Sequence, residues 1–223
     1  MLLALSVVVV SCGNGSSPTG SETSAINTDI KNLKLNFHPL QTKYDWKPQY
    51  GQSILGYMNR PELSTLVDTR LNIYDLSKLN CFGYNQASVF EKKMFWITFM
   101  ASIAHAESTL NPNVVYRDLD GTLSSGLLQI DLQSANRHTY AYTGKTYTQK
   151  DLYNPDLNLM AGLYIMKHQL EGGMNSDRPD IAGRLFTERS YYWSVLTLKR
   201  DLIIRTFTKN ALANLSFCFI GQP

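Results

Sequence analysis

Between Ser88 and Pro112 apolar residues occupy nearly every helical face. Met94, Phe95, Phe99, Met100 and Ile103 recur at helical spacing, and Trp96, Ile97, Ala101 and Ala104 fill the remaining positions. A helix apolar all round belongs in the middle of a core. Ser88 with Glu91 three residues on is a capping-box pattern for its start. Pro112 forces its end, because the residue before a proline disfavours helix. A second long helix begins at Asn154-Pro155, Asn as cap and Pro in the first turn. It carries Leu159, Met160, Leu163, Met166 and Leu170 and stops at Gly172-Gly173. The pattern predicts further helices near 179–198 and 199–212, and short helices within a proline-broken stretch over 36–80, one of them starting near Pro61. Strand signals are weak and confined to 113–117 and 127–132. The expected fold is mainly α, with at most a small β-sheet.

The amino terminus has a different pattern. Leu2 to Val10 is apolar except for Ser6, too short for a bilayer span and suited to an export signal over residues 1–11. The Val9-Val10-Ser11-Cys12-Gly13 sequence resembles the lipobox of bacterial lipoproteins, which implies lipidation of Cys12 and anchoring of the chain to a membrane. Gly, Ser and Pro dominate the adjoining stretch, so residues 12–35 read as a flexible tether and 36–223 as the globular domain. With Cys12 lipidated, Cys81 and Cys218 remain as an even pair in an exported protein and are expected to form a disulfide. The expected location is the cell envelope, on the periplasmic face of a membrane, or outside the cell.

Composition narrows the function classes. The net charge is only +3, and no stretch is a lysine and arginine block, so nucleic acid is not an expected partner. His38, His105, His138 and His168 lack the paired spacing of zinc ligands, so no metal or cofactor is expected. Asp118-Leu119-Asp120-Gly121-Thr122 is the order found at the nucleophile of haloacid-dehalogenase phosphatases. Arg117 breaks the strand that should aim the aspartate, and alternating strand and helix units are missing. Asp118 is therefore read as a turn-capping residue.

Glu107 closes the apolar helix, where scarce water raises a carboxyl pKa toward what a general acid needs. After it come Ser125-Gly126-Leu127-Leu128-Gln129-Ile130 and then Asn154-Pro155-x-x-Asn158. At Gly126 a backbone can approach a ligand closely, and Gln129 offers both a donor and an acceptor. Glu107-Ser108-x-x-Asn111-Pro112 and these two runs, in this order, resemble the goose-type lysozyme and lytic transglycosylase (SLT domain) superfamily, glycoside hydrolase family 23. The resemblance covers about residues 85–200. It implies a lysozyme-like fold and cleavage of the β-1,4 bond between N-acetylmuramic acid and N-acetylglucosamine in peptidoglycan. It also implies Glu107 as the catalytic acid, and Ser125, Gly126 and Gln129 in the segment lining the glycan cleft. Tyr192 stands where the family carries an Ala-Tyr-Asn motif. Tyr147, within a cluster of tyrosines, is a further candidate for the cleft.

Two chemistries occur in that superfamily. Asp120 and Asp131, 13 and 24 residues after Glu107, look like the goose-type pattern, which hydrolyses with a second carboxylate activating water. Hydrolysis with Glu107 as acid and Asp131 or Asp120 as base is therefore expected. The alternatives are lytic transglycosylation with Glu107 as sole acid and base, and a non-catalytic peptidoglycan-binding lipoprotein.

Overall fold

The computed structural model describes residues 33–37 and 43–221. The expected export signal, Cys12, the expected tether up to residue 32 and His38 lie outside the described residues. Residues 33–35, assigned to the tether, are docked. Leu33 and Phe37 are buried, and Asn36 N–H donates to Asn210 Oδ1 at 2.6 Å.

Short helices α1 (Pro48–Tyr57), α2 (Thr65–Asp68) and α3 (Ile73–Lys78) lead to the central helix α4 (Val89–Ser108). Its capping box is formed: Ser88 Oγ accepts from Glu91 N–H, and Glu91 Oε2 accepts from Ser88 N–H at 2.8 Å. Fourteen of its residues are buried, among them every position from Met94 to Ala106. A hairpin of β1 (Val115–Arg117) and β2 (Leu123–Ser125) comes next, and β3 (Ile130–Asp131) pairs antiparallel with β2. Then come α5 (Leu132–Thr143), α6 (Pro155–Leu170), the one-turn α7 (Val195–Leu198) and α8 (Arg200–Asn214). Helix α4 packs on α8, while α6 packs on α1 and α5. The mainly α fold with a small sheet is thus observed.

Two elements differ from the sequence expectation. The region 179–198 is no continuous helix. It holds a single 3-10 turn at Pro179–Ile181 and the four-residue α7, joined by an irregular stretch. Its apolar residues Leu185, Phe186 and Trp193 are buried as a loop, because Asp75 Oδ2 accepts from Leu185 N–H (2.8 Å) and Phe186 N–H (3.2 Å). A buried loop is tolerated when its backbone donors find such partners. Helix α5 is the second difference, since the sequence pattern does not predict it. Its buried positions are Ala135, His138 and Thr139, which give little apolar period to read.

Cys81 and Cys218 are joined, closing the domain from before α4 to after α8 across 137 residues. In the chain-entropy account such a loop is worth about 5 kcal/mol.

A polar chain links α5 to α6, with His138, His168 and Lys167 buried and Tyr142 at the surface. Lys167 Nζ donates to Tyr142 Oη (3.2 Å), Tyr142 O–H lies 3.1 Å from His168 Nε2, and His168 Nδ1 lies 2.7 Å from His138 Nδ1. This order of donors assigns Nδ1–H to His168 and leaves both imidazoles neutral. Burial, with Lys167 and Arg137 nearby, holds both histidines well below the ordinary imidazole range. A depressed histidine contributes stability that is full above the ordinary pKa near 6.5 and is lost as pH falls toward the folded value. Between pH 6.5 and 4 we expect the urea midpoint of the wild type to drop relative to that of the His138→Gln/His168→Gln variant, by at least about 3 kcal/mol in equivalent stability. A difference that stays constant across that range would exclude the mechanism.

Candidate functional site

An open cleft of about 740 Å³ runs between the β-hairpin and the segment 192–199, with Glu107 in its wall. Helix α4 delivers this carboxylate because it stops one residue later. Thr109 and Leu110 both take positive φ (52° and 66°), and Ser108 Oγ donates to Leu127 O at 2.8 Å, fixing the helix end to the Gly126–Gln129 turn. Ser108 thus acts as a brace for the helix end. Burial pushes the Glu107 carboxyl up to about 7; Lys199 opposes the rise and Asp118 adds to it. A carboxyl titrating there is half protonated at neutral pH and can donate a proton.

Gln129, Asp120, Asp131 and Tyr192 line the same cleft. Gln129 is left-handed at φ 47° and is held by bonds from Nε2 to Val114 O (3.0 Å) and Gly126 O (2.8 Å), while its buried Oε1 has no hydrogen-bond donor among the described residues. Asp131 caps α5: Oδ1 accepts from Ser134 N–H at 2.8 Å, and Oδ2 accepts from Tyr192 O–H at 3.0 Å. Tyr192 in turn accepts from Asp131 N–H at 2.9 Å. Burial first, then the Asp131 charge, keep the Tyr192 hydroxyl protonated far into the alkaline range. Asp120 stands exposed at the hairpin tip with Oδ1 accepting from Thr122 N–H, which lowers its pKa.

Three expected cleft residues lie elsewhere. Ser125, the last residue of β2, is fully buried, and its hydroxyl accepts from Gln149 Nε2 at 2.7 Å. Tyr147 is a core residue whose hydroxyl donates to Leu157 O at 3.3 Å. Gly126 does permit a close approach, at φ 81°, but by the protein itself: a Cβ there would stand 2.2 Å from Leu152 O and 2.5 Å from Asn158 Nδ2. Asn158 is the buried clamp beneath the cleft. Its Nδ2 donates to Ser125 O (2.9 Å) and Leu152 O (3.0 Å), and its Oδ1 accepts from Leu128 N–H (2.8 Å). Trp193 Nε1 fixes Leu128 O from the other side at 2.9 Å.

Two cleft residues escape the sequence reading in this role. Asp118 does shape its turn, accepting from Gly121 N–H through its carbonyl, but its carboxylate also lines the cleft and accepts from Ser124 Oγ at 3.1 Å. The turn-like sequence conceals that second position. Lys199, at the α7–α8 junction, reaches across to Ala106 O at 2.9 Å. No local pattern marks it, because its partner is 93 residues away. Among the described residues no group of histidines, cysteines and carboxylates could hold a metal, and no helix is long and apolar enough to cross a membrane.

Residues 86–183 match the family model of the transglycosylase SLT domain. Among solved structures, wild-type DslA (form 2) superposes with a TM-score of 0.58 at 24% identity, over 79% of this chain and 94% of that one. A glutamate-to-glutamine variant of DslA gives 0.57 at 24%, over 76% and 91%. At such identities the likeness is one of fold. No curated protein matches the chain.

Proposed function

We propose, from the premise that residues 86–183 form a transglycosylase SLT domain, that the protein cleaves the glycan strands of peptidoglycan in the cell envelope, at the β-1,4 bond from N-acetylmuramic acid to N-acetylglucosamine. The observation that carries the reading is Glu107, a carboxyl raised to about 7 by burial in the wall of an open cleft within that domain. In the proposed step Glu107 gives its proton to the glycosidic oxygen as the bond from C1 to that oxygen breaks. The leaving sugar departs as an alcohol, and C1 takes on oxocarbenium character.

Hydrolysis then requires a carboxylate across the cleft to take a proton from the attacking water, whose oxygen bonds to C1. Asp131 and Asp120 are the acids that the sequence spacing singles out. Both Asp131 oxygens accept hydrogen bonds, and Asp120 sits at the exposed tip. Asp118 therefore joins them as the candidate whose charge Glu107 feels. The family's name favours the second reading, in which Glu107 takes back a proton from the muramic acid hydroxyl and an anhydro sugar forms. Lipid anchoring through Cys12 would hold such an enzyme at its substrate.

Digestion of purified sacculi followed by mass spectrometry of the soluble fragments separates these readings. Hydrolysis gives products with a reducing muramic acid end, each one water heavier than the anhydro fragments of transglycosylation. Predominantly anhydro fragments would overturn hydrolysis. Glycan binding without any fragments would overturn the enzyme.

A further inference from the structure

We propose that Lys199 is a positioning residue for Glu107, holding the end of α4 through the Ala106 carbonyl and supplying the counter-charge for the carboxylate that proton donation leaves behind. This rests on the reading of Glu107 as the acid.

The last carbonyls of a helix have no partners within it. In α4 the chain turns left-handed at Thr109, and Leu110 N–H goes back to Ala104 O instead of to Ala106 O. The Ala106 carbonyl, in the peptide bond directly before Glu107, is met instead by Lys199 Nζ at 2.9 Å. Lys199 ends α7 and begins α8, so this one bond ties the wall carrying Trp193, Val195 and Leu198 to the acid's own turn. It also places an ammonium group at the negative end of the helix dipole, where a cation is favoured and a carboxylate is not.

The charges around Glu107 make this cation matter. Asp118 approaches from the hairpin with the same sign as the ionised acid. Tyr192 faces it from the preceding loop as a neutral hydroxyl, and Asp120 and Asp131 line the cleft beyond. On its own helix His105 is buried against the Phe37 ring and held neutral by burial and by Lys199. Among the described residues, Lys199 is thus the opposing charge beside Glu107 in a cleft otherwise lined by acids and neutral groups. When Glu107 loses its proton to the glycosidic oxygen, the new carboxylate stands in the field of the Lys199 ammonium, which is held one residue away on the Ala106 carbonyl. Without Lys199 the proton would be held too tightly to transfer readily at neutral pH.

The test is a carbon-13 NMR titration of the Glu107 carboxyl in the full chain, its signal assigned by disappearance in Glu107→Gln. We expect Lys199→Met and Lys199→Gln each to raise the titration midpoint by about one unit or more, and Lys199→Arg to keep it near the wild-type value. The Lys199→Gln side chain retains a hydrogen-bond donor, so a merely structural role would leave its midpoint unmoved. An unmoved midpoint in folded Lys199→Gln overturns the proposal. The fall of sacculus lysis with rising pH should move with the midpoint. If the wild type lyses no sacculi, the enzymatic reading fails while the NMR midpoints still decide whether the Lys199 charge acts on Glu107.

Discussion

Replacing Glu107 with glutamine is expected to stabilise the protein at pH 8 by about 3 kcal/mol while reducing glycan cleavage by at least a factor of about 1,000. The two effects have one cause. The carboxyl is raised from 4.5 to about 7, so between those values the folded protein holds a proton that the unfolded chain has released. Stability therefore falls as pH rises through this window, and the full cost of a buried charge is present above it. Glutamine keeps the shape and never ionises. The gain should thus vanish below pH 4.5, grow toward pH 7 and level off beyond. Paired urea titrations of wild type and variant across pH 4 to 8 give the curve directly. A difference that is flat with pH would mean that Glu107 is not held in a desolvated wall.

Asn158→Leu is expected to have the opposite sign and a larger size, a loss of about 4 kcal/mol. Leucine would leave Ser125 O, Leu152 O and Leu128 N–H buried without their present partner, and each such orphan costs roughly 1–3 kcal/mol. For a domain of this size the melting temperature should fall by about 10 °C. The damage would reach the cleft, since Leu128 and Gly126 flank the turn that carries Gln129. A melting temperature within about 2 °C of wild type would show that Asn158 does not clamp the cleft floor.

That clamp marks the boundary of what the sequence makes legible. The central helix is readable because its signals are local: a capping box at Ser88, apolar residues on all faces and a proline beyond the end. The Asn154 cap is local too. The motif residues Gly126, Ser125 and Asn158 do group together, but their spacing does not say whether they face a ligand or each other. The structure shows them facing each other. Tyr147 is misplaced by the sequence for the same reason, since an aromatic ring of intermediate polarity fits a cleft wall or a core equally well. Helix α5 has Leu132 as its single large aliphatic residue and so no apolar period to read, and its cap, Asp131, stands out as an acid instead. The stretch 179–198 has the apolar residues of a helix but owes its shape to the Asp75 carboxylate, more than 100 residues upstream. Lys199 and Asp118 complete the surroundings of Glu107 only through tertiary contacts, which no spacing along the chain encodes.

The most direct test of the account is the release of soluble muropeptides from purified sacculi by the wild-type chain and by Glu107→Gln, side by side at pH 6 with folding verified by circular dichroism. The account predicts fragments cut between N-acetylmuramic acid and N-acetylglucosamine from the wild type and essentially none from the folded variant. Equal release by the two proteins would contradict it.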